Sequence, residues 1–187
     1  MAYLERLLVR ERAARHARSV PLAAVTVALG VLTWHDAVHR VPSTLMAVVP
    51  VVTYAVVFLA MRVQRAVTGA GVGSDGYGVV LAGVTVLLLT PIGLMAPLFA
   101  GAEAVLGAGL VVLGWRGRDR GLWVPGLVLA ALGPFVHLNG AANTLVLLPD
   151  PATAVNVATV TAFAGLTVAA VVHERRLAVP LPADGRG

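Results

Sequence analysis

GVVLAGVTVLLLTPIGLMAPLFAGAEAVLGAGLVVLGW, residues 78–115, is a run of 38 positions whose only charged residue is Glu103. As one helix it would be about 57 Å long at 1.5 Å per residue, well beyond a hydrocarbon core of about 30 Å. It must therefore double back. The turn falls in residues 90–97, where Pro91, Gly93 and Pro97 interrupt the helical pattern. This gives one membrane span over residues 78–90 and a second over residues 97–115.

Working outward from this pair, apolar stretches at residues 20–38, 45–61, 122–138 and 152–172 supply four more spans. Each is bounded by charge or proline. Arg62 and Arg65 end the second span, Arg116, Arg118, Asp119 and Arg120 separate the fourth from the fifth, and His173, Glu174, Arg175 and Arg176 end the sixth. Trp34, Trp115 and Trp123 fall at span ends, as an interfacial aromatic belt requires. Residues 139–151 are either an outer loop or an extension of the fifth helix, closed by Pro149, Asp150 and Pro151.

The expected fold is all-α: a polytopic membrane protein of six transmembrane helices arranged as three hairpins, with both termini cytoplasmic. Arginine sets the orientation. With both ends inside, thirteen of the fourteen basic residues lie on the cytoplasmic side and only Arg40 lies outside, the bias that governs insertion. Three segments follow. Residues 1–19 form a basic amphipathic stretch with Leu4, Leu7 and Leu8 opposite its arginines, residues 20–176 form the membrane domain, and residues 177–187 form a disordered tail.

Composition agrees and excludes several classes of function. Only 12% of the residues are charged against 58% hydrophobic, with mean hydropathy +0.87; a soluble domain averages about 25% charged. The net charge of +5 reflects topology, so no nucleic-acid partner is expected. All the basic residues are arginine, which with the Ala, Val and Gly excess reads as a GC-rich bacterial genome. The expected location is the bacterial cytoplasmic membrane. The expected partners are the lipid bilayer and either further copies of the chain or a membrane partner subunit. With no cysteine, disulfides, thiolate metal sites and cysteine nucleophiles are ruled out. Serine is scarce and none sits in a GxSxG context. Gly71, Gly73 and Gly76 match a GxGxxG pattern, but they lie between two spans and not between a strand and a helix, so they read as a loop.

What remains is a layer of polar residues toward the outer side. An ionisable residue inside a span costs about 2.5–3.5 kcal/mol at the centre and normally faces the bundle or a wet cavity. Glu103 shares its helical face with Ala96, Ala100, Gly107 and Gly114; His137 shares its side with Gly126, Ala130, Gly133 and Pro134. Small residues of this kind let helices approach closely, so both polar groups should point at a neighbouring helix. His35 lies at a similar height in the first span, with Asp36, His39 and Arg40 above it. His35 and His39 are four apart, as are Asp36 and Arg40, so each pair shares a helix face.

The layer His35, Asp36, Glu103, His137 and His39 admits several chemistries. Glu103 can simply pair with His137, His35 or a threonine hydroxyl, with the others as interfacial caps. Imidazole and carboxylate ligands also suit zinc, iron or copper, and two histidines across a gap suit haem; either cofactor would make the protein an intramembrane enzyme or electron carrier. Acid–base chemistry by Glu103 and His137 on a lipid-like substrate is a further enzymatic option. A proton-coupled or solute pathway would use Glu103 as the group that changes charge. The leading expectation is a non-enzymatic transport or accessory-type bundle with a polar outer-leaflet cavity. A non-catalytic partner subunit, to which the layer is dispensable, is the third class. Asn139, Asn143 and Asn156 read as interhelical hydrogen-bonding groups.

Overall fold

The computed structural model describes residues 18–39, 45–68, 76–138, 145 and 150–178. Among these the chain is all-helical. The helices are α1 (Ser19–His39), α2 (Leu45–Thr68), α3 (Tyr77–Leu89), α4 (Pro91–Gly117), α5 (Arg120–His137) and α6 (Pro151–Ala178). Four of them, α1, α2, α4 and α6, contain stretches long and apolar enough to cross a membrane, and α3 is a shorter apolar helix. The fold thus points to a membrane location. Large apolar side chains cover its outside, among them Val27, Val63, Val86, Phe99 and Val168, and Trp34 and Trp115 stand 74% and 73% exposed near helix ends.

The helices alternate in direction. Glu174, near the end of α6, bonds to Ser19 at the start of α1. Arg18 pairs with Asp119 just before α5. Gly76, before α3, lies against the Arg116 side chain near the end of α4, and Gly78 against Phe58 in the last part of α2. The starts of α1, α3 and α5 and the ends of α2, α4 and α6 therefore share one end of the bundle. Arg18, Arg65, Arg116, Arg118, Arg120, Arg175 and Arg176 all lie there.

The turn between α3 and α4 is tighter than residues 90–97. Only Thr90 separates the helices: its hydroxyl accepts from the Gly93 N–H at 3.0 Å, and Pro91 takes the first helical position, where its missing N–H costs nothing. Pro97 is absorbed inside α4. The interruption comes instead at Gly101, whose φ of 78° and ψ of 153° are not helical, a region open essentially to glycine alone. Straight, the 27 residues of α4 would extend about 40 Å, twice the roughly 20 Å of the 13-residue α3. Because α3 and α4 meet at both ends, the bend at Gly101 takes up part of that excess.

Packing follows the glycines more than the hairpins. α4 and α5 form the most intimate pair. A Cβ at Gly107 or Gly114 would strike the backbone of Ala130 or Trp123, and one at Gly133 would fall 2.5 Å from the Ala100 carbonyl oxygen. The two-residue link at Arg118 and Asp119 holds the pair together; Asp119 caps α5 by accepting from the Gly121 N–H at 2.8 Å. α1 packs on α2 and α3 on α4, as hairpins do, but α5 and α6 barely touch. The third hairpin is thus a departure from expectation. α6 crosses over to α1, with Thr26 and Thr167 hydroxyls 3.1 Å apart, and its own glycine, Gly165, faces open space.

α2 runs on past its expected end at residue 61, through Arg62 and Arg65 to Thr68, and α6 runs to Ala178, two residues into the stretch read as tail. The expected basic stretch of residues 1–19, apart from Arg18 and Ser19, lies outside the described residues, as do Arg40, the glycine loop of residues 71–75, Asn139, Asn143 and residues 179–187.

Candidate functional site

Glu103 lies two residues beyond the bend in α4 and is 8% exposed. It sits in the first turn of the helical segment that restarts after Gly101, so the break places a buried carboxylate where the local helix dipole favours negative charge. Its carboxylate oxygen Oε2 has no hydrogen-bond partner, and His137 Nδ1 faces it at 3.9 Å, equally without one. That gap exceeds the 2.7–3.2 Å or so of a hydrogen bond. Gly101 flanks both groups: a Cβ there would fall 2.5 Å from Glu103 Oε2 and 2.6 Å from His137 Nδ1. The pair occupies space that only a glycine leaves free.

His137 is the last residue of α5 and reaches Glu103 because Gly133, one turn earlier, lets the α4 backbone approach at Ala100 and Ala104. From α1, Asp36 lies within electrostatic reach of His137, His35 and Glu103. His35 Nδ1 is 3.8 Å from Asp36 Oδ1, and its ring meets that of His39 with centroids 4.8 Å apart. Of the expected layer, the structure brings Glu103 to His137 and His35 to Asp36 and His39, with His39 exposed, His35, Asp36 and His137 half-buried and Glu103 buried. Asp36 is the member of the α1 group within electrostatic reach of the pair.

Glu103 also lines a cavity of about 10 Å³ with Thr33 of α1, Gly133 of α5, and Asn156 and Thr159 of α6. A space of that size suits one water-sized occupant and is far too small for a macrocycle. Among the described residues, no group of three or more His, Asp and Glu side chains is arranged to hold a metal ion. Gly101, Thr33 and Thr159 are the members that sequence reasoning passed over. Gly101 had a readable signal, standing two residues before the only charge in its span, whereas the threonines look like any others in an apolar helix.

A second polar cluster lies at the opposite, arginine-rich end. Glu174 Oε1 accepts from the backbone N–H groups of Arg18 at 2.7 Å and Ser19 at 2.9 Å, and Oε2 accepts from the Ser19 hydroxyl at 2.6 Å. Arg18 Nε lies 2.6 Å from Asp119 Oδ2, an ion pair off the hydrogen-bond axis. These contacts tie α1, α5 and α6 together at their common end. No protein-family model matches the chain, and neither a curated protein nor a solved structure is significantly similar to it.

Proposed function

We propose that the chain is a six-span protein of the bacterial cytoplasmic membrane with both ends inside, acting as a small transport or accessory-type bundle. In it, the Glu103–His137 pair takes up and releases a proton from the outer side. The orientation is supported by the gathering of arginines at one end of alternating helices. One observation carries the chemistry: the buried Glu103 carboxylate and the half-buried His137 imidazole lie 3.9 Å apart with the facing atoms of both unpartnered.

A permanent structural pair would gain most by closing to hydrogen-bond distance, because a polar atom left bare in a low-dielectric interior costs about 1–3 kcal/mol. A pair that must gain and lose a proton needs two states close in energy. The bend at Gly101 offers a movable joint next to both groups, since a change there of less than about 1 Å would make or break the bond. His39, His35 and Asp36 form the approach from the exposed surface.

Infrared spectroscopy of the purified protein tests the reading. A carboxyl C=O band should grow as pH falls, vanish in Glu103→Gln and shift its midpoint in His137→Ala. No Glu103-dependent change with pH would overturn the reading, leaving the bundle as a partner subunit whose polar layer is dispensable.

A further inference from the structure

The cavity beside Glu103 is walled by two kinds of atoms. Four of its residues offer oxygen: the Glu103 carboxylate of α4, the Thr33 hydroxyl of α1, and the Asn156 amide and Thr159 hydroxyl of α6. The rest of the wall, including Leu29, Leu129 and Leu132, is apolar. The Thr159 hydroxyl already donates its proton to the Val155 carbonyl at 2.8 Å, so what it can turn toward the cavity is lone pairs. An ionised carboxylate there accepts but cannot donate. Two residues that line one space with side-chain oxygens that can only accept call for a positively charged or donating occupant.

We propose that this cavity binds one dehydrated sodium ion, coordinated by the Glu103 carboxylate with the oxygens of Thr33, Asn156 and Thr159. The oxygen-only donor set is that of a hard cation. One carboxylate balances one positive charge, whereas divalent sites gather more anionic ligands or keep several waters; the volume of about 10 Å³ leaves no room for a hydrated ion. The apolar wall keeps bulk water from screening the contact. The inference rests on the reading of Glu103 as a buried carboxylate left available to a counter-charge.

Thermal unfolding of the purified full chain in sodium chloride and in choline chloride, at matched ionic strength, is the test. Sodium should raise the midpoint by several degrees. Thr159→Val, which keeps the side-chain shape, and Asn156→Ala should each abolish the sodium effect while leaving the Glu103 infrared titration in place. Radioactive sodium should bind near one per chain in the parent protein and not in Glu103→Gln. Equal midpoints in the two salts, or a sodium effect that survives both cavity variants, would overturn the ion site; an intact infrared titration would then leave the proton reading standing. Loss of that titration from the parent protein, with sodium binding retained, would overturn the proton reading alone.

Discussion

The two polar clusters of the bundle are built from the same kinds of residues and finished differently. At the arginine-rich end, Glu174 uses both oxygens on three donors, and Asp119 both caps α5 and meets Arg18. At the other end, Glu103 and His137 keep facing atoms without hydrogen bonds although they lie within 3.9 Å. The first arrangement spends its polar groups on joining helix ends, where backbone N–H groups need partners anyway. The second leaves polar capacity unspent next to a bend and a cavity. A carboxylate that is fully engaged holds helices together; one that is held just short of engagement is available to a proton or an ion.

Three substitutions can break or sharpen this contrast. Gly101→Ala should have the largest effect, about 3 kcal/mol or more, because it adds backbone strain of about 1–3 kcal/mol to a side-chain overlap that typically costs as much again. Denaturant unfolding in micelles measures it, and a mild result would mean that α4 can straighten without the glycine. Glu174→Ala should cost about 2 kcal/mol by stranding partly buried donors while leaving the Glu103 infrared titration unchanged; altered titration would show that the two ends are coupled. Glu103→Gln should change stability least, by less than about 1 kcal/mol or in the stabilising direction, since removing an unsatisfied buried charge is seldom costly. A large loss of stability there would place Glu103 in the same structural class as Glu174.

How much of this was written in the chain depends on the kind of signal. Apolar runs and their charged ends located each described helix, with several ends six or seven residues short, because burial in lipid is a bulk property that composition carries. The small-residue faces of residues 96–114 and 126–134 marked both helices for close packing without naming their partners; the structure packs them on each other and so brings Glu103 to His137, since small residues let two backbones come close. The pairing of α6 with α1 was not legible. It depends on Thr26 meeting Thr167 and on Glu174 meeting Ser19, contacts between residues that carry no mark of each other in sequence. The turn expected over residues 90–97 falls at Thr90, while the further bend at Gly101 was not legible, for a related reason. Proline forbids one bond, and a helix can absorb that loss, whereas a positive φ is chosen by the packing around it.

The short link at Arg118 and Asp119 has a bearing on how the bundle is made. α4 and α5 are neighbours along the chain, so Glu103 and His137 can meet as soon as that pair has formed, with little loop entropy to overcome. The Arg18–Glu174 contact spans 156 residues and must await the end of α6. Synthesis from the N-terminus would therefore assemble the proton pair early and set the α6 oxygens of the cavity, with the clasp at the other end, last. An interrupted chain ending before α6 would hold Glu103 and His137 without Asn156 and Thr159, a nascent form that separates the two chemistries in time.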